Sequence, residues 1–396
     1  MKRILIFFAV CFISTQVFAQ SEELEIYSTL YDSAETVAEQ LAFIRIVADA
    51  NYSGAEAFYA KALNRLVIQY PNLSARSELD AADNAALILS QKLGEANYTP
   101  AASNLWMTVT YFSNSLVKAE ALMALGRTGN TAFLPQVIRL LETLNLQPQS
   151  DREASDRAEN TASGAIVALE YFGSPEGYLP VFFAYTGWYS QRVRNLAFGV
   201  MSHLMDDPTE PLLTVVNGSS YGYEVKHMAL RVSEASESSE ANKSRVAVAA
   251  LTEGWRNRGN DIRQRTELTE MRRLALRMIR LYGTQDSAVY AQLDHSYREG
   301  DQDEKLAVLQ VLNTMSTEES VRLLSGYLRD IHSRRLSNAL TANDEQLVRV
   351  IIPALGNVGN VARSVCRPIL ILVQMAPQWS SAIQRLATDA LNRIGV

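Results

Sequence analysis

The chain has little of the chemistry that metal and redox sites need: two cysteines and four histidines in 396 residues. Cys11 lies in the first twenty residues, so only Cys366 remains beyond them, and one thiol cannot form an internal disulfide framework. Stability must therefore come from packing. His203, His227, His295 and His332 have no second histidine or cysteine at a metal-ligand spacing, and neither H-E-x-x-H nor C-x-x-C occurs. Neither phosphate-cradling motif, G-x-G-x-x-G or G-x-x-x-x-G-K-[ST], is present. No metal and no cofactor is expected. His203, in an apolar helical pattern, reads as a hydrogen-bonded core residue, and Cys366 as a quiet, semi-buried thiol. Long apolar runs are also missing: Ile369 to Val373 is bounded by Pro368 and Gln374, far short of the about 20 residues that span a bilayer.

What is there is ordinary for a globular chain, 47% apolar and 20% charged residues. That composition can bury a large core and excludes disorder as the dominant state. A net charge of −6 argues against a nucleic-acid partner. The first residues differ from the rest. Lys2 and Arg3 precede an apolar run from Ile4 to Ile13, and Val17-Phe18-Ala19 places small residues at a cleavage site. This is the pattern of a secretory signal peptide, residues 1–19, cleaved after Ala19. A membrane anchor would need a longer run, and Phe8-Ala9-Val10-Cys11 is a poor lipidation box. The expected location is periplasmic or secreted, with no stable membrane span in the mature chain.

A helical grammar recurs from about residue 105 onward. Ala121-Leu-Met-Ala-Leu-Gly-Arg-Thr-Gly129 and Ala165-Ile-Val-Ala-Leu-Glu-Tyr-Phe-Gly173 are apolar helical patterns ending in glycine. Each leads through a polar turn to a Leu-Pro pair, Leu134-Pro135 and Leu179-Pro180, that opens a second apolar stretch. Glycine suits the left-handed residue after a helix, and proline the first helical turn. Further copies run from Val193 to Met205, Met271 to Gly283, Lys305 to Leu312 and Leu347 to Gly356. Ser316-Thr-Glu-Glu319 reads as a capping box before Val321 to Leu328, and Pro353 is expected to kink or shorten its helix.

The turns in Ala124-Leu125-Gly126-Arg-Thr-Gly129-Asn130 and Ala354-Leu355-Gly356-Asn-Val-Gly359-Asn360 resemble HEAT repeats, in their short, bacterial, lyase-like form. The resemblance spans residues 105–396. It implies an all-α fold, an α-solenoid of stacked antiparallel helix pairs, with a surface that binds proteins. Residues 20–104 are helical in pattern but lack the signature, as expected of a terminal capping region. There Ser53-Gly-Ala-Glu56 reads as a capping box, and Ser77 as the cap of a helix from Leu79 to Leu93.

Three patterns compete for function. Gly218-Ser219-Ser220-Tyr221-Gly222 matches the nucleophile elbow of serine hydrolases; it requires a strand at Leu212 to Val216, with His295 or His332 as the base. An inter-helix loop explains the same small residues. Arg273, Arg277 and Arg280 share one helix face in a basic stretch, whereas residues 22–100 hold twelve acidic and five basic residues. The arginines suit a protein partner in the cell envelope or an anionic surface; a solvated face with Glu270 beside Arg273 is the plainer reading. Tyr185, Trp188 and Tyr189 belong to a dense aromatic run, suited to an interface or to packing between repeats. The expected function is a non-catalytic scaffold that binds protein partners. The alternatives are the hydrolase at Ser220 and a HEAT-like protein that handles a small ligand in an apolar pocket.

Overall fold

The computed structural model describes residues 22–256 and 258–395. The expected signal peptide, with Cys11, lies outside them. Every regular element among the described residues is helical. Helix α1 covers residues 22–33. It is followed by α2 (Val37–Ala50), α3 (Glu56–Gln69), α4 (Arg76–Glu95), α5 (Ala102–Tyr111), α6 (Ser115–Arg127), α7 (Leu134–Asn145), α8 (Arg152–Phe172), α9 (Tyr178–Thr186) and α10 (Gln191–Leu204). Then come α11 (Thr209–Asn217), α12 (Tyr223–Ala235), α13 (Glu240–Arg256), α14 (Ile262–Tyr282), α15 (Val289–Glu299), α16 (Gln302–Thr314), α17 (Glu318–Leu336), α18 (Ala342–Val358), α19 (Arg363–Met375) and α20 (Ser381–Arg393). No described helix is long and apolar enough to cross a membrane.

The chain divides into two compact units, one ending at Met205 and the other starting at Asp206. Each unit is built in the same way. An odd-numbered helix packs on the even-numbered helix that follows it, and helices two apart in sequence stack side by side. In the first unit α2, α4, α6, α8 and α10 form one row, with α3 beside α5 and α7 beside α9 in the other. In the second unit α12, α14, α16, α18 and α20 form one row and α11, α13, α15, α17 and α19 the other. Two layers of paired helices with contacts between sequence neighbours are a solenoid-like, all-α architecture.

The even-numbered rows are tight because their helices meet through small residues. A Cβ on Gly126 would lie 2.7 Å from the Ala168 Cα, and one on Gly164 would lie 2.6 Å from the Ala119 Cα. Backbones of α6 and α8 thus touch where any side chain would hold them apart. Gly94 against Ala124 and Gly356 against Ala390 repeat the contact at α4–α6 and α18–α20. Gly126 and Gly356 therefore sit inside helices and serve packing, where the sequence pattern suggested turns. Gly173 does take the left-handed conformation (φ 61°) that closes α8.

Several helix starts differ from expectation. The cap of α17 is Thr317, not Ser316, whose own φ is 38°. Helices α3 and α4 start behind Ala55 and Ala75 without a side-chain cap, so neither Ser53 nor Ser77 holds a helix end. Pro353 lies inside α18, which continues to Val358 and is not cut short. The missing amide hydrogen bond is tolerated because Ile351, Ile352 and Leu355 around it are buried.

The close approach yields a prediction. Gly126→Val should lower stability by roughly 1–3 kcal/mol, the usual cost of overpacking. Gly199→Ala, in α10 with open space around the added carbon, should be neutral or stabilising by about 0.5–1 kcal/mol. Urea unfolding of both variants checks this; equal effects would contradict the tight-row packing.

Candidate functional site

The structure accounts first for the residues that the sequence singled out. Arg273, Arg277 and Arg280 do share a face of α14, and each is engaged by a neighbouring helix. Arg273 pairs with Glu270 in its own helix (3.3 Å), and with Asp301 (2.8 Å) and Asp303 (3.2 Å) at the start of α16. Arg277 reaches Glu234 of α12 at 2.9 Å, and Arg280 hydrogen-bonds the Gln310 side chain of α16. These guanidinium groups tie α12, α14 and α16 together. Being largely exposed, each pair adds little stability, about 0–1 kcal/mol.

The aromatic run is mostly packing. Tyr189 is buried, and burial pushes its hydroxyl pKa far above the ordinary range. It stacks on Trp188 with ring centres 4.3 Å apart, and the Trp188 indole N–H donates to the Leu144 carbonyl of α7 at 3.1 Å. Tyr185 tilts against Phe198 of α10. Tyr189 is thus unavailable as a surface contact, because its ring fills the space between helices. Tyr185 and Trp188 are half-buried.

Ser220 lies in the turn between α11 and α12. The segment Leu212 to Val216 that an elbow would need as a strand is part of helix α11. The His332 Nδ1 accepts from the Trp379 indole N–H at 3.0 Å, and burial holds that imidazole below its usual pKa. His295 sits edge-on against the Trp255 ring. His203 is largely exposed and pairs with Glu170 at 2.5 Å, so it is hydrogen-bonded but not a core residue. Cys366 is buried, and desolvation raises its thiol pKa.

The site with the most recognition chemistry is one the sequence did not flag. A groove of about 1000 Å³ opens on the odd-numbered row of the second unit, lined by α11, α13, the 283–286 turn and α15. Its cause is the uneven anchoring of α15. At its far end α15 is fixed: the Trp255 indole N–H donates to the Ser296 hydroxyl at 2.7 Å, and the Arg272 guanidinium lies 3.9 Å from the Trp255 ring centre. At its near end, residues 283–288 separate α15 from α14; Tyr290 is tied to Thr317 before α17 at 2.6 Å, but α15 touches α13 only sparsely. The gap between α13 and α15 therefore widens toward the start of both helices.

The rim beneath is rigid. Lys226 and Glu253 form a buried ion pair at 2.5 Å between α12 and α13, with Arg256 2.9 Å from the second Glu253 oxygen. Arg272 and Glu304 form another at 2.6 Å. Breaking such a pair by removing one partner typically costs about 3–5 kcal/mol. Asp207 fixes the start of α11 to the approach of α13. It accepts hydrogen bonds from Thr209 (2.5 Å), Ser238 (2.7 Å) and Asn242 (2.5 Å).

Inside the groove, Leu213, Val248, Ala249 and Ala288 provide an apolar floor. The Ser244 hydroxyl is fully enclosed and has no partner. Asn217, Gln285 and Gln292 line the walls with side-chain amides that make no hydrogen bond among the described residues. Such amides each offer a donor and an acceptor. No cluster of three metal-ligating side chains exists among the described residues. Only the long polar turn after Gly283 hinted at this groove in the sequence.

Hydrogen bonds from Thr209 first, then from Ser238 and Asn242, hold the Asp207 carboxyl below its ordinary pKa of 3.8. A carboxylate depressed on folding stabilises the fold above that ordinary value and loses the contribution as pH falls through the folded value. Asp207→Asn should therefore lower the urea midpoint at pH 7, with the gap to the unaltered chain narrowing as pH falls below the ordinary carboxyl value of 3.8. A gap that persists at low pH would contradict this role. No protein-family model matches the chain, and no curated protein matches it.

Proposed function

We propose that the chain is a non-catalytic, HEAT-like scaffold of the cell envelope that holds an extended segment of a partner protein in the α11–α13–α15 groove. The observation that carries this reading is the row of unengaged amides, Asn217, Gln285 and Gln292, above an apolar floor. An extended peptide exposes alternating N–H and C=O groups, which amide side chains can pair with whatever the peptide's side chains are. Its small apolar side chains would rest on Val248 and Ala249.

Arginines 273, 277 and 280 have a different part in this reading. Their charges are met by neighbouring helices, so they position the tight row behind the groove. Tyr185 and Trp188, half-exposed in the other unit, remain available to a second stretch of the same partner.

Peptide-display selection against the intact protein tests the proposal. Peptides that bind the unaltered chain should lose at least about tenfold in affinity for Val248→Glu, which places an unpaired charge on the apolar floor. Gln285→Ala with Gln292→Ala should weaken the same peptides, whereas Arg277→Ala should not. Enriched peptides indifferent to the groove variants, or no enrichment at all, would contradict it.

A further inference from the structure

We infer that copies of this chain associate head to tail, the outward face of α1 and α2 in one copy receiving α19 and α20 of the next. The argument starts from how helices within each unit find one another. Lys61 of α3 pairs with Asp32 of α1 at 2.5 Å. Arg245 of α13 pairs with Glu210 of α11, Arg277 of α14 with Glu234 of α12, and Arg273 of α14 with Asp301 and Asp303 before and in α16. A cation on one helix meeting a carboxylate on the next helix of its row is thus a repeated device.

The last helices carry the cations without the partners. Residues 359–395 hold Arg363, Arg367, Arg385 and Arg393 against one acidic residue, Asp389. Among the described residues none of these four makes an ion pair: Arg363 bonds Asn360, Arg393 bonds Asn357, and Arg385 bonds the Ser381 carbonyl. Beside Arg367, Pro368, Leu372 and Met375 share an exposed stripe of α19, with Leu372 55% and Met375 75% accessible.

The first helices carry the complement. Residues 22–50 hold seven acidic residues and one basic residue, Arg45. Glu22, Glu25, Ile26, Thr29 and Leu30 line a shallow cleft of about 440 Å³ on α1, with Ile26 58% and Leu30 41% accessible. On α2, Ala38, Ala42 and Ile46 are exposed at four-residue spacing. Exposed Ile26 and Leu30 on an acidic helix pair match exposed Leu372 and Met375 on a helix pair whose arginines have no carboxylate partner. The two faces differ, so the contact is heterologous and each copy keeps one face free for the next.

Sedimentation velocity of the full chain over a concentration series tests this. Association should rise with concentration and weaken as salt is raised, because exposed charges are screened. Glu22→Lys with Glu25→Lys, or Arg363→Glu with Arg367→Glu, should each weaken it by roughly tenfold or more, since like charges then face each other. An equimolar mixture of the two double variants should restore association, because each supplies the opposite charge to the other. Leu372→Asp should weaken it at high salt as well. Val248→Glu should leave it unchanged, which separates this contact from the peptide groove. A monomer at every concentration, association indifferent to either charge reversal, or a mixture that fails to recover would each overturn the inference.

Discussion

The groove in the second unit depends on how sparsely α15 packs against α13, its neighbour in the odd-numbered row. Elsewhere in the chain, where Gly126 meets Ala168, the backbones of α6 and α8 come too close for a side chain, and Gly356 meets Ala390 of α20 almost as tightly. Even-numbered helices are drawn together in this way in both units. Among the described residues the odd-numbered row has no such glycine contacts between its helices, and α15 stands off from α13 while its Tyr297 stacks on Tyr327 of α17 at 3.6 Å. Since protein interiors are close-packed and resist local deformation, a helix held away from one neighbour leaves a cleft of defined shape beside it.

Charge reinforces that arrangement at two depths. The enclosed Lys226–Glu253 and Arg272–Glu304 pairs are specific connections whose partners cannot be exchanged without leaving a bare charge inside. The outer arginines of α14 are weaker, adjustable links between α12, α14 and α16. Together they make α13 and α14 a stiff backing. The helix beside the groove that meets α13 only sparsely is α15, held near its end by Trp255 on Ser296 and near its start by Tyr290 on Thr317.

Much of the fold was legible in the sequence because helix-forming patterns are local. Apolar spacing located most helices to within a few residues, and Gly173 and Gly283 marked real left-handed helix ends. Gly126 and Gly356 were misread as turns because a glycine that packs and a glycine that caps are the same letter. Only the neighbouring Ala168 or Ala390, far along the chain, distinguishes them. The arginine triplet was legible as a shared face, and Glu270 as a near partner, but its other carboxylate partners lie 28 to 43 positions away. Beyond the polar turn after Gly283 the groove was not legible: Leu213, Ser244, Val248 and Gln292 come from three helices, and nothing about an isolated glutamine tells whether its amide will be left unpaired.

The most direct test of the account is methyl-selective NMR of the chain titrated with a peptide chosen for groove-dependent binding. Shift changes concentrated on Leu213, Val248, Ala249 and Ala288 would place the peptide on the open row. Changes confined to Leu281 and its neighbours on the arginine face of α14, with the groove methyls unmoved, would contradict it.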